Sequence, residues 1–305
     1  MAMNKAVKEL LRVLSFGGIE VNTSRHLAEL KALSPMKRFY KTINYKVYNG
    51  DYKVPMRIYF PSEDMDNECP VLLFFHGGGW VTESIDTYQR ICALMAKETG
   101  HAVVAVEYRL APEHPFPIGL MDCYAAAEAI YSNHFILNIH PDKITLIGDS
   151  AGGNLTAAIS LMARDKGSFL PKRQILIYPA VNSDFSKNSP FRSVKENGKD
   201  YLLTQEKMQA YINLYASKEE DKQNPYFAPI YAKDYTNQPK TLVLTAEFDP
   251  LRDEGEEYAR RLKEAGNEVR VHRIKDALHG YFALGIKHLY VKKSLDLMNQ
   301  FLQER

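Results

Sequence analysis

Cysteine is scarce in this chain. Its 305 residues include three, Cys69, Cys92 and Cys123, which are widely spaced and odd in number. That excludes a disulfide framework and any Cys-x-x-Cys zinc site, and it fits a reduced, cytoplasmic life. Charge of one sign is lacking too. Lys and Arg number 39 and Asp and Glu 37, a formal charge of +2, too little to draw the chain to nucleic acid or a membrane surface by bulk electrostatics. No long apolar run occurs: the stretch Val71–Phe75 is far short of the roughly 20 residues of a membrane span. The first twenty residues carry Lys5, Lys8, Glu9 and Arg12 and no apolar core, against a signal peptide. There is no G-x-G-x-x-G and no H-E-x-x-H, and Gly198-Lys199-Asp200 lacks the upstream glycine and the Ser/Thr of a phosphate-binding loop. Neither a metal nor any other cofactor is expected.

What is present is ordinary for a globular protein, with 45% hydrophobic and 25% charged residues. A chain of this length buries roughly three quarters of its unfolded surface and needs no covalent staple. Val7, Leu10, Leu11 and Leu14 recur at helical spacing. Leu27, Leu30 and Leu33 do the same until Ser34-Pro35 interrupts. Residues 43–48 and 54–60 are β-rich runs around Asn49-Gly50-Asp51, which predicts an antiparallel pair. Beyond them, short apolar runs at 71–75, 102–106, 144–147, 175–178, 241–245 and 269–274 alternate with helical patterns at 119–131, 151–164, 252–265 and 291–301. That alternation predicts an α/β fold, a mostly parallel sheet with helices on both faces.

One stretch of some sixty residues, between Tyr178 and Thr241, has no convincing strand. Met208, Tyr211, Ile212 and Tyr215 in it have helical spacing, with Thr204 as N-cap and Glu206 in the first turn. Ordered insertions of this length are usually functional. The expected division is a discontinuous helical cap from residues 1–42 and 182–225, over a core from residues 43–181 and 226–305.

Two strings carry chemistry. Gly148-Asp149-Ser150-Ala151-Gly152 is a G-x-S-x-G set between a strand and a helix, the context a nucleophile elbow requires. His76-Gly77-Gly78-Gly79-Trp80 follows the strand 71–75. Successive glycines there let backbone N–H groups face a cavity, where they can meet a developing oxyanion. An elbow serine needs an acid and then a histidine later in the chain. Glu247, Asp249 and Asp253 compete for the acid just past strand 241–245, and His279 stands in a loop after the last strand, whereas His272 lies within it.

These strings, with Tyr108-Arg109-Leu110-Ala111-Pro112-Glu113-His114-Pro115-Phe116-Pro117 and Gly153-Asn154, closely resemble the bacterial hormone-sensitive-lipase-like esterases, members of the α/β-hydrolases. The resemblance runs from about residue 40 to the C-terminus and implies the α/β-hydrolase fold. The family's acid motif matches Asp249-Pro250-Leu251-Arg252-Asp253-Glu254-Gly255 and selects Asp249, and its His-Gly-[Phe/Tyr] pattern matches His279. The expected triad is Ser150, Asp249 and His279. The Ala151 N–H, next to the nucleophile, would serve the oxyanion hole, and the resemblance adds Gly78 and Gly79. His76 and Gly77 would support that loop rather than react. Residues 108–117 read as a rigid loop with an Arg109–Glu113 pair.

The implied activity is that of a serine carboxylesterase, cleaving short-chain acyl esters through an acyl-enzyme. An amidase or arylformamidase would share the same triad. A non-catalytic small-molecule receptor on this fold is disfavoured by the complete triad. Phe185, Tyr201, Met208 and Tyr211 are candidates for the pocket lining. The expected partner is a small acyl ester, with a homodimer left open.

Overall fold

The computed structural model describes residues 20–32, 41–62, 69–132, 137, 139–284 and 289–304. The expected helix around Val7–Leu14 lies outside them, as does Leu33. Eight strands form one sheet: β1 (Thr42–Asn49), β2 (Tyr52–Tyr59), β3 (Val71–Phe75), β4 (Ala102–Val106), β5 (Ile144–Asp149), β6 (Arg173–Ile177), β7 (Lys240–Phe248) and β8 (Val269–Leu278). Their order is β1-β2-β4-β3-β5-β6-β7-β8. β1 pairs antiparallel with β2, and β2 with β4; every other pair is parallel. The antiparallel edge and the parallel body are those predicted from the run lengths. All five residues of β3 and of β4 are buried, as expected of strands covered on both faces.

The helices are α1 (Val21–Ala32), α2 (Gln89–Thr99), α3 (Ile118–Tyr131), α4 (Ala151–Lys166), α5 (Arg192–Asn197), α6 (Gln205–Tyr215), α7 (Arg252–Glu264) and α8 (Leu289–Gln303). The sequence reading missed α2. Six consecutive residues of it, Ile91 to Ala96, are buried. β8 runs four residues further than its apolar pattern, through a register shift opposite Ala246 and Phe248, and so delivers the chain directly to His279.

The stretch without strands holds α5, α6 and short 3-10 turns. Thr204 caps α6 as predicted, its hydroxyl accepting from the Lys207 N–H at 3.1 Å. Both stems of the insertion are tied to the core. On α4, the buried Asn154 amide donates to the Ala180 and Phe227 carbonyls, each at 2.8 Å. On α7, the Glu254 carboxyl accepts from the Val181 and Asn182 N–H groups at 2.9 and 3.1 Å. Burial pushes that carboxyl well above its ordinary range. The aromatic rings of Trp80, Tyr215, Phe227 and Phe116 then join insertion to core, with Trp80 and Tyr215 stacked at 4.5 Å.

The Arg109–Glu113 pair is a correction. Arg109 turns to the fully buried Asp122, through Nε at 2.9 Å and Nη2 at 2.8 Å. A buried carboxylate must be paired, and it wins the guanidinium. Glu113 is instead held by both terminal nitrogens of Arg25 on α1 at 2.8 Å. Arg25 also donates to the Val81 and Ala111 carbonyls at 2.8 Å, which seats α1 on the loops after β3 and β4.

The start of α4 is pressed against the end of β3. A Cβ on Gly152 would stand 1.9 Å from the Phe75 carbonyl oxygen and 2.7 Å from that of His76. Alanine would gain about 1 kcal/mol of helix propensity there, but the overlap is with backbone, which cannot yield. Gly152→Ala is expected to lose about 3 kcal/mol net, read as a lower urea midpoint at unchanged m-value. A midpoint equal to wild type would show that the two backbones can part.

Candidate active site

Ser150 sits between β5 and α4 with φ 55° and ψ −117°, a left-handed strained backbone for a residue with a side chain. It is held there because its N–H donates to the Ile177 carbonyl at 2.9 Å and because Gly148 and Gly152 let the turn close. A Cβ on Gly148 would fall 2.2 Å from the Gly152 oxygen. The turn aims the hydroxyl at His279, with Oγ 2.9 Å from Nε2. On the other side of the ring, Nδ1 lies 2.7 Å from Asp249 Oδ2. Asp249 is wholly buried, and its Oδ1 accepts from the Leu251 N–H at 2.9 Å. A carboxylate only accepts, so it selects the tautomer protonated on Nδ1 and leaves Nε2 to accept from Ser150. Ser150, Asp249 and His279, far apart in the chain, thus form one hydrogen-bonded line.

The two rival carboxylates have other partners. Glu247 Oε2 accepts from the Asp276 N–H at 2.7 Å, and Asp253 accepts from the Ser193 N–H at 2.7 Å and pairs with Arg252. His272 lies within β8, as read.

The glycine loop after β3 borders the same space. Gly78 and Gly79 take φ values of 105° and 61°, open to glycine at little cost. Among the described residues neither N–H donates a hydrogen bond. The Ala151 N–H opens α4, where helix geometry leaves it without an internal acceptor. His76 is buried, and its Nδ1 donates to the Gly77 carbonyl at 2.8 Å. Its ring stacks on Tyr108 at 4.4 Å, and burial pulls its pKa down to about 4, keeping it neutral.

A cavity of about 450 Å³ opens over Ser150 and His279, walled among others by Gly78, Gly79, Trp80, Leu203, Met208 and Tyr211, with Glu83 and Arg90 also on its lining. Two of the four residues expected to line a pocket, Met208 and Tyr211, are on it. Phe185 and Tyr201 are not. Phe185 is fully buried in the core, and Tyr201 stacks on Phe248 at 5.1 Å. Their apolar character serves packing, the usual fate of such side chains.

Sequence reasoning gave Asp149 only a helix-start role, and it missed Tyr88 and Tyr178. Asp149 is buried and ties the two glycine motifs together. Its Oδ1 accepts from the Gly77 N–H at 2.9 Å, and its Oδ2 from the hydroxyls of Tyr88 at 2.9 Å and Tyr178 at 3.2 Å. Tyr178 also lies against the His279 ring at 4.8 Å. Burial, the largest influence, pushes the Asp149 carboxyl up to about 6, against the pull of those donors and of His279. The spelling G-D-S-A-G offered a signal for this role, but both tyrosines come from distant segments, and one is on the unread helix α2's edge.

Asparagine at 149 cannot accept from all three donors, because its NH₂ must face one of them. Asp149→Asn is expected to shift Gly77 and lower kcat about 100-fold with KM little changed, as a small misplacement of catalytic groups does. Folding raises this carboxyl's pKa from 3.8 to about 6. Its contribution to stability is therefore full below the lower value and is lost as pH rises through the upper one. The variant should lack that slope in urea titrations. Wild-type kcat together with the wild-type slope would dismiss the tether.

Comparison with known proteins agrees with this fold. A family model for the alpha/beta hydrolase fold matches residues 72–283. An arylesterase from Saccharolobus solfataricus is 38% identical over 242 residues, 79% of this chain and 77% of that protein. A carboxylesterase from Mycobacterium tuberculosis is 34% identical over 276 residues, 88% of this chain and 84% of the relative. A hyperthermophilic esterase from the archaeon Pyrobaculum calidifontis has a solved structure of TM-score 0.87 and 34% identity, covering 99% of this chain and 98% of that one. With its motifs, its sheet and its relatives in accord, the chain belongs to the α/β-hydrolase family, among the hormone-sensitive-lipase-like esterases its strings resemble.

Proposed function

We propose that the protein is a serine carboxylesterase for short-chain acyl esters, with Ser150 as nucleophile, His279 as base and Asp249 as its orienting acid. The observation that carries this reading is the line Ser150 Oγ to His279 Nε2 at 2.9 Å and His279 Nδ1 to Asp249 Oδ2 at 2.7 Å. Ser150 is a weak nucleophile until a neighbouring base takes its proton. As Oγ bonds to the ester carbon, its proton passes to Nε2, and Asp249 stabilises the imidazolium. The carbonyl oxygen becomes an oxyanion, met by the N–H groups of Ala151, Gly78 and Gly79. His279 then returns the proton to the leaving alkoxide as the C–O bond breaks, and the alcohol departs. Water, deprotonated by the same nitrogen, attacks the acyl-enzyme. The acid is released and Ser150 regains its proton.

Residues 1–42 and 182–225 act as a cap in this reading. The Tyr211 ring supports it, since a Cβ on Gly79 would fall 2.5 Å from that ring. Leu203 and Met208 complete an apolar wall on the same side of the cavity. A wall so near the glycine loop suits a short acyl chain. Net charge near zero suits a neutral carboxyl ester, for which steering by the whole molecule gains little. Among the described residues no helix is long and apolar enough to cross a membrane. A cytoplasmic location is part of the proposal, supported by three cysteines that are free and buried.

Ser150→Ala is expected to lower turnover of p-nitrophenyl acetate and butyrate by about 10⁴-fold or more. Retained turnover, or an organophosphate label on another residue, would sink the assignment. Tyr211→Ala removes the ring against Gly79. The ratio of kcat/KM for octanoate over butyrate esters should rise about tenfold. An unchanged ratio would show that something other than Tyr211 limits the acyl chain.

A further inference from the structure

The loop beyond the glycines carries an acid in an unusual place. Glu83 has φ 70°, a left-handed conformation that glycine adopts freely and a side chain makes costly. Such strain persists where the side chain has a use or its surroundings over-determine it. The stem packs against the oxyanion loop: a Cβ on Gly78 would fall 2.9 Å from Glu83 Cγ. The residue stands on the wall of the catalytic cavity, which it shares with a smaller neighbouring one. Its charge is felt by Tyr88 and Tyr211, both on the catalytic side.

Among the described residues the carboxylate is also unpaired. Other acids near the site are occupied: Asp149 by Gly77, Tyr88 and Tyr178, Asp249 by His279 and Leu251, and Glu107 by the Ile85 N–H at 2.7 Å. For Glu83 no hydrogen bond or ion pair occurs among the described residues. The other charged or titratable groups on the cavity wall are Arg90, Asp149, His279 and the two tyrosines. Arg90 is exposed and has interactions of its own. A free negative charge beside Gly78 opposes the oxyanion expected there. A positive charge on the substrate would cancel that opposition and supply the missing partner.

We propose that Glu83 is a specificity-determining residue that selects esters bearing a cationic group over neutral esters of the same shape. This rests on the esterase reading and names a substrate class for it. Butyrylcholine and 3,3-dimethylbutyl butyrate form a matched pair, because a trimethylammonium group and a tert-butyl group differ chiefly in charge. Rates of acid release at constant pH give kcat/KM for each. The wild-type protein should prefer the cationic ester by about tenfold, the effect of one screened charge pair near a protein surface. Glu83→Gln should abolish the preference, and Glu83→Asp should restore most of it. The wild-type preference should also shrink with added salt. A ratio that is the same in wild type and Glu83→Gln would overturn the proposal. Thermal melts of both variants show whether each is folded, and Glu83→Asp keeps the test meaningful should the amide disturb the loop. Hydrolysis of p-nitrophenyl butyrate in the same preparations reports separately on the esterase reading. Its absence from folded wild type would sink that reading, whereas its presence with an unchanged charge ratio would sink only the role of Glu83.

Discussion

The close approach of two backbones, the first turn of α4 and the end of β3, sets the rest of the site. Gly152 brings the helix against the Phe75 and His76 carbonyls. The Ala151 N–H and the glycine loop after β3 can border one small space only because no side chain separates them. The same closeness lets Asp149 reach the Gly77 N–H across the gap. The strain at Ser150, of the order of 1–3 kcal/mol, is tolerated because β5, paired along both edges, fixes one end of the turn and α4 fixes the other. A sheet spreads such a cost over many hydrogen bonds, which a free loop lacks.

The second level of order is electrostatic. His279 lies between Asp249, which it touches, and Asp149, whose charge it influences from further away. One carboxylate orients the ring. The other is held by two phenols and by the Gly77 N–H, which ties it to the glycine loop. Neutral His76, stacked on Tyr108, completes the loop without adding charge.

Much of this was legible in the chain. Strands buried on both faces show as unbroken apolar runs, and the turn at Ser150 and the glycine loop after β3 are short strings whose backbone demands are local. Asp249 and His279 followed from chain order and motif, since each stands just past a strand end. What stayed hidden depended on partners distant in sequence. Arg109 sits four residues from Glu113, yet it answers to Asp122, because burial decides which carboxylate must be matched. Tyr88 stands at the N-cap of α2, 61 residues from the Asp149 it serves. Phe185 and Tyr201 show that an aromatic side chain near a pocket says little about which way it points. The left-handed backbone of Glu83 has no signature in its own identity.

Trp80 gives the molecule an optical property. It is the only tryptophan of the chain, it follows directly on Gly79, and its ring stacks on Tyr215 at the end of α6 and on Phe227 at the insertion's return stem. All tryptophan emission therefore arises from the seam between the insertion and the core, beside the cavity over Ser150 and His279. Fluorescence of this protein reports the seating of α6 on the glycine loop rather than an average over the fold, so opening of that seam can be timed without attaching a dye.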